Sequence, residues 1–161
     1  MGVCGSRDQK ITLDGVPPEE LAVYQSECKI KLYDVIYERF RGAIKRYGFQ
    51  GDLTDKHMLA ISQEIKVNID EMNNNEKSPY AIVYLDKEFL TRDKKHNVKH
   101  LLRLGWLLCK HQNKDEQALE LWHLINPEME EYVTKTQVME FMNTLVHFSV
   151  VLMQSKSYRL C

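Results

Sequence analysis

Apolar residues recur every three or four positions along most of the chain, the spacing that places them on one face of an α-helix. The first such run covers Tyr33–Tyr47, and the two prolines and two glutamates of Pro17–Glu20 are typical of a helix start. We therefore expect one long amphipathic helix from about residue 19 to Tyr47, where Gly48 and Gly51 break it.

Further helices are predicted by the same spacing. One begins at Thr54, and a short one after an Asp86 cap carries Phe89 and Leu90. The remaining helices are expected from Asn97 to about Gln112, from an Asp115 cap onward, and from about Thr136 to Met153. Asn73–Pro79 is a surface loop by composition, and Tyr80–Leu85 is a short β-prone run. The pattern predicts an all-α protein.

The charge balance and the cysteines narrow the class of protein. Lys and Arg number 22 and Asp and Glu 23, so the net charge is −1, and a near-neutral chain argues against nucleic-acid binding. The four cysteines are scattered without a CxxC pair, which is typical of reduced cytosolic thiols, and Cys109 in its apolar run is expected to be packing. Since no phosphate loop or catalytic constellation can be defended, we expect neither an enzyme nor a cofactor.

The first six residues, Met1–Ser6, have the pattern of an acylation signal. Gly2 with Ser6 at the required spacing predicts N-myristoylation, and Cys4 is a candidate for S-palmitoylation. Two acyl chains would hold a protein at a bilayer, whereas one chain binds only marginally. We therefore expect a cytoplasmic protein that Gly2 and Cys4 could tether to the inner leaflet of a membrane.

The segment Leu121–Met142 resembles an EF-hand helix-loop-helix when Asn126 is set at loop position 1. Apolar residues then fall on the expected positions of both helices and on loop position 8: Trp122, Ile125, Val133, Val138, Phe141 and Met142. This resemblance to calmodulin-like and calcineurin-B-like proteins implies EF-hand-like helix-loop-helix pairs, in which very short β pairing between loops could occur. A generic helical bundle is the alternative.

The ligand positions of this segment depart from the calcium-binding pattern. A calcium loop requires oxygen ligands, a glycine at position 6 and a bidentate glutamate at position 12. The residues at the ligand positions are Asn126, Glu128, Glu130, Tyr132, Thr134 and Gln137. Glu131 replaces the glycine, where a side chain resists a left-handed backbone, and Gln137 replaces the glutamate. We expect a vestigial loop without tight calcium binding, and no other metal site.

A second copy of the pattern covers Ile44–Met58, with Leu53 at position 8 and His57 in place of the terminal glutamate. Its loop is two residues short, so no calcium binding is expected there either. Residues 80–112 could contain a further unit with Ile82 or Val83 as its β residue. The expected organisation is a leader over 1–18, an EF-hand-like lobe over 19–72, a loop over 73–79, a second lobe over 80–155 and a tail over 156–161.

Two groups of side chains suggest interaction surfaces. His96 and His100 have the spacing of zinc ligands on a helix, but they lie among lysines and arginines, including Arg103, so a solvated basic face is the prediction. Aromatic and aliphatic residues of the C-terminal half form either core or a groove for a partner helix. The predicted groove residues are Trp106, Trp122, Phe141, Met142, Leu145 and Phe148.

The function expected from these features is that of a non-catalytic, calcium-independent adaptor. It would bind an amphipathic helix of a larger cytoplasmic protein, as a subunit of a hetero-complex, with acylation as a membrane tether. A structural subunit of a ciliary or cytoskeletal assembly is the first alternative. A calcium sensor that uses the distorted loop 126–137 is the second.

Overall fold

A computed structural model of the chain describes residues 15–18, 20–21, 31–49, 51–67 and 89–152, with side chains up to residue 149. A 3₁₀ turn, Lys31–Asp34, precedes the first long helix. The α-helices are α1 (Tyr37–Tyr47), α2 (Asp55–Ile65), α3 (Val98–Leu108), α4 (Lys114–Ile125) and α5 (Lys135–Val146), and a π-helical turn, His147–Leu152, follows. Within these ranges there are isolated β-bridges and no strand, which confirms the all-α prediction.

Helix α1 begins much later than the hydrophobic pattern predicts. Ile36 is extended, with φ −70° and ψ 131°. The Tyr37 N–H donates to the Lys110 carbonyl at 2.9 Å, and the Lys110 N–H donates to the Val35 carbonyl at 2.9 Å. The prediction of one helix from residue 19 to Tyr47 is therefore wrong, because the backbone at Ile36 pairs with the segment after α3.

Side-chain caps set the helix starts. Thr54 caps α2 together with His57, so the predicted start at Thr54 is confirmed. Asn97 caps α3 by accepting from the His100 N–H at 3.1 Å. The cap of α4 is Asn113, which accepts from the Glu116 N–H at 2.8 Å, so the prediction of an Asp115 cap is wrong.

The last helix has nearly the predicted extent, but its end is π-helical. Thr134 caps α5, which starts at Lys135, one residue before the predicted Thr136. The α-helix ends at Val146, and the π-helical turn replaces the predicted continuation toward Met153. A π-helical turn has hydrogen bonds between residues five apart, so the backbone is wider there than in α5.

Phe89 and Leu90 are not helical, so the short helix predicted for them is wrong. Leu90 forms an antiparallel bridge with His96, and Phe89 is buried with its ring stacked on Phe148 at 4.7 Å between centroids. Tertiary packing of the aromatic ring overrides the local propensity here. Asp86 and the run Tyr80–Leu85 lie outside the described residues.

A β-bridge joins the loop after α1 to the loop before α3. The Leu53 N–H donates to the His96 carbonyl at 2.9 Å, and the His96 N–H donates to the Leu53 carbonyl at 2.7 Å. Leu53 is the residue that the EF-hand resemblance places at the β position. Its partner is His96, which the sequence did not indicate, and Ile82 and Val83 lie outside the described residues. One buried cluster contains residues from both sides of positions 73–79.

Helix α3 lies at the centre of the bundle and packs against α1, α4 and α5. Its approach to α1 depends on the absence of a side chain at Gly105. A Cβ built at Gly105 would lie 2.3 Å from Cε1 of the buried Phe40 ring. Gly42 on α1 is the opposite case, because its Cβ would meet no atom within 4 Å.

Substitution of these two glycines by alanine should change stability in opposite directions. Gly105→Ala should lower the free energy of unfolding by about 1–3 kcal/mol, because the overlap with Phe40 outweighs the better helix propensity of alanine. Gly42→Ala, the matched control, should raise it by about 0.5–1 kcal/mol. Urea denaturation followed by circular dichroism measures both. An equal increase in the free energy of unfolding of both variants would contradict the close packing of α3 on α1.

Candidate functional site

The outer surface of α4 and α5 exposes a group of large apolar side chains. Leu119 and Trp122 are three residues apart on α4, and the residues on α5 are three and seven apart, so each set lies along one face of its helix. We call this surface the α4–α5 face. Its members are between 37% and 53% exposed: Leu119, Trp122, Met139, Met142 and Val146. Helices α4 and α5 pack against each other.

The predicted groove residues divide between the core and this surface. Phe141 and Phe148 are buried in the core. Trp106 is half-buried, and its Nε1–H donates to the Gln117 carbonyl at 3.1 Å. Leu145 is also half-buried, whereas Trp122 and Met142 are exposed.

Three members of the face are not among the six predicted groove residues: Leu119, Met139 and Val146. The signal that could have identified them is the spacing of Met139, Met142 and Val146. These residues form one stripe on the helix, separate from the stripe that contains Phe141. The sequence contains both stripes, but it does not show which of them faces the core.

A buried arginine decides this orientation. Arg103 on α3 is 2% exposed, and its Nη1 donates to the Thr144 hydroxyl at 2.7 Å. Its Nη2 lies 3.3 Å from the Glu140 carboxylate, and its guanidinium lies 5.5 Å from the centroid of the Phe141 ring. Lys99 contacts the same carboxylate at 2.6 Å. The prediction that Arg103 belongs to a solvated basic face is therefore wrong, because the guanidinium joins α3 to α5.

The protonation of this cluster follows from its contacts. The Lys99 hydrogen bond, and secondarily Arg103, hold the pKa of the Glu140 carboxyl below its ordinary value, against the effect of burial. Burial lowers the pKa of Arg103, and Glu140 opposes that shift. Arg103 and Glu140 are therefore both charged near neutral pH.

Helix α4 is joined to α1 by a second ion pair across a cleft. The Arg41 guanidinium contacts the Glu120 carboxylate at 2.8 Å, and both side chains are largely buried. The cleft between α1, α3 and α4 has a volume of about 710 Å³. Apolar Leu102 and Leu124 line it together with charges of both signs, so the lining favours neither an anion nor a cation.

Acidic side chains flank the α4–α5 face. Glu128, Glu130 and Glu131 in the loop between the helices are exposed, as is Asp115 at the opposite end of α4. Within the described ranges these four carboxylates form no ion pair. Lys114 and Lys135 are the exposed cations at the same two ends, so the surroundings of the face are acidic on balance.

Two of the predicted calcium-ligand residues, Asn126 and Gln137, form hydrogen bonds with the backbone between α4 and α5. Asn126 is fully buried, its Nδ2 donates to the Glu130 carbonyl at 2.6 Å, and its Oδ1 accepts from the Glu130 N–H at 3.0 Å. The Gln137 Oε1 accepts from the Thr134 N–H at 2.7 Å. The left-handed residue of the loop is Met129, with φ 55°, and not Glu131. Glu128 and Tyr132 are exposed.

His96, His100 and Cys109, which the sequence analysis considered as metal ligands or a reactive thiol, contact other parts of the fold. His96 is buried, contrary to the predicted solvated face, and its Nε2 lies 2.9 Å from the Asp55 carboxylate. The ring of His100 lies edge-on to Phe148. Burial raises the pKa of the Cys109 thiol, as expected for packing. Among the described residues, no three of His, Cys, Asp and Glu are placed to hold a metal ion.

No described helix has the length and the apolar character needed to cross a bilayer. The predicted acylation sites Gly2 and Cys4 lie outside the described residues. No protein-family model, no curated protein and no solved structure matches the chain.

The Arg103 cluster predicts an acid-sensitive contribution to stability. Glu140→Gln should lower the free energy of unfolding by about 1 kcal/mol, a modest value because about half of the Glu140 side chain faces water. Since the folded-state pKa is depressed, this difference should be complete above pH of about 4.3 and disappear as the pH falls through the folded-state value. Urea titrations at several pH values measure it. The exposed control Glu131→Gln should show no such dependence, and equal profiles for the two variants would contradict the assignment.

The hydrogen bonds of Asn126 predict a structural role for this residue. Asn126→Ala should lower the free energy of unfolding by about 1–3 kcal/mol, because the Glu130 backbone loses both partners. The control Asn143→Ala, at an exposed position of α5, should leave the free energy of unfolding within about 0.5 kcal/mol of the parent.

Thermal unfolding of the parent should be unchanged by millimolar calcium, since a ligand of the folded state would raise the melting temperature. A calcium-dependent rise that Asn126→Ala abolishes would contradict this role.

Proposed function

We propose that this protein is a non-catalytic adaptor that binds an amphipathic helix of another protein on the α4–α5 face. The observation that supports it is the exposure of five large apolar side chains on two adjacent helices, which we have defined as that face. Apolar groups gathered on one surface mark interaction sites more often than scattered ones do.

The shape and chemistry of the face favour a helical partner. Two neighbouring helices that expose apolar stripes suit a partner helix whose apolar residues are spaced three and four apart. Met139 and Met142 are unbranched and polarizable, so they can adapt to different apolar side chains. Trp122 offers a large apolar anchor of the kind that dominates binding energies at protein interfaces.

The charges around the face favour a basic partner. The carboxylates of Asp115, Glu128, Glu130 and Glu131 have no ion pair of their own within the described ranges, so lysines or arginines beside the apolar stripe of a partner would find acceptors there. The same charges would repel a bilayer rich in anionic lipids. If Gly2 and Cys4 are acylated, we propose that the chains anchor the protein while this face remains turned toward a protein partner.

Calcium is not part of the proposed mechanism. Asn126 and Gln137, the first and last ligand positions of the predicted calcium loop, are engaged in hydrogen bonds with the backbone of Glu130 and Thr134. A calcium sensor would have to give up these bonds to free its ligands. The face is already exposed with the loop in this state, which supports an adaptor that binds without a calcium signal.

Binding of a defined peptide tests the proposed function. A tryptophan-free amphipathic peptide of leucine and lysine should bind the full chain with micromolar affinity and shift the fluorescence of the exposed Trp122. Met142→Glu should weaken this binding about tenfold or more, since it places a carboxylate within the apolar contact. The matched control is Leu59→Glu, which alters an exposed apolar residue on another helix, α2, and should leave the affinity unchanged.

Several results would contradict this proposal. No binding of the peptide, or equal loss in the Met142 and Leu59 variants, would exclude the α4–α5 face as the site. Equal affinity for a leucine–glutamate peptide would exclude the charge preference. Self-association of the free chain that Met142→Glu abolishes would identify a second copy as the occupant.

A further inference from the structure

The described methionines differ sharply in their access to solvent. Met139 and Met142 are 48% and 49% exposed on the α4–α5 face, and Met129 in the adjacent loop is 60% exposed. Met58 on α2 is 2% exposed within the core. The thioether sulfur is the side-chain atom that peroxides oxidise, and access to that sulfur governs its reactivity. The chain therefore contains reactive methionines on its apolar face and a protected one as an internal reference.

We propose that Met139 and Met142 are a modification site at which oxidation to methionine sulfoxide switches partner binding off. Hydrogen peroxide is the oxidant class. A lone pair of the Sδ atom attacks one peroxide oxygen, an S–O bond forms, the O–O bond breaks, and the released hydroxide takes the remaining proton and leaves as water. The sulfur is oxidised and the peroxide is reduced, so atoms and electrons balance.

The position of the pair on α5 makes oxidation consequential. The two residues are three apart on the outward side of the helix, so two sulfoxide oxygens would stand side by side in the middle of the apolar stripe. A sulfoxide is strongly polar and accepts hydrogen bonds that an apolar partner surface cannot provide. The inward side of α5 stays intact, because Phe141 and Thr144 are buried against α3.

The switch is reversible in principle and separate from folding. Methionine sulfoxide reductases transfer the oxygen to a thiol pair, which becomes a disulfide while water is released. Since neither sulfur lies in the core, the oxidised chain should keep the helix content and the melting temperature of the parent. The effect on binding rests on the proposed function, whereas the pattern of reactivity does not.

Peptide mapping by mass spectrometry tests the reactivity. Brief treatment of the full chain with hydrogen peroxide should oxidise Met129, Met139 and Met142 about tenfold or more faster than Met58. Saturation with the leucine–lysine peptide should protect Met139 and Met142, whereas Met129 should be protected less. Oxidation of Met58 at the same rate as the pair in the folded chain would overturn the assignment.

A matched variant tests the consequence. Met139→Leu with Met142→Leu conserves side-chain volume and should bind the peptide as the untreated parent does. After peroxide treatment, the parent should lose about tenfold or more in affinity, and the double variant should lose none. Repair of the parent by a reductase should restore binding. If the untreated parent does not bind the peptide, the proposed function fails, whereas equal binding before and after oxidation of both methionines overturns the switch alone.

Discussion

The burial of the Arg103 guanidinium between α3 and α5 is the interaction on which the exposed surface depends. A charge removed from water costs several kcal/mol unless its donors are matched, and its acceptors, Glu140 and Thr144, both lie on α5. Any rotation of α5 about its axis would separate the guanidinium from these acceptors. With Phe141 and Thr144 held inward, Met139 and Met142 are directed outward. The exposure of Met139 and Met142 to water thus follows from the buried contact of Arg103 with Glu140 and Thr144.

Helix α3 has the same organising role on its other side. Gly105 lets α1 approach closely enough for Phe40 to lie over the α3 backbone, and Arg41 then reaches Glu120 on α4. The backbone pairing of Leu53 with His96 ties the loop after α1 to the start of α3. The bundle therefore positions the α4–α5 pair from its inner side, by packing and ion pairs, and leaves the outer side exposed.

Local sequence patterns predict the helices correctly where caps and apolar spacing determine them. They fail where contacts between distant parts of the chain determine the backbone conformation. The Thr54 cap and the apolar spacing of α3 are local, and both appear in the structure. The break at Ile36 is imposed by hydrogen bonds to Lys110, and Phe89 is held by stacking on Phe148, neither of which a window of sequence contains. Arg103 and Met139 illustrate the same limit for the site, because the sequence shows a charge and an apolar residue without showing which of them is inside.

Methyl and indole NMR spectra of the full chain, recorded during titration with the leucine–lysine peptide, would show whether the α4–α5 face is the binding surface. Binding at this face predicts that the Met139 and Met142 methyl signals and the Trp122 indole signal shift together, with the Met58 methyl unchanged and calcium without effect. Shifts confined to residues around the cleft between α1, α3 and α4, or shifts that require calcium, would contradict it.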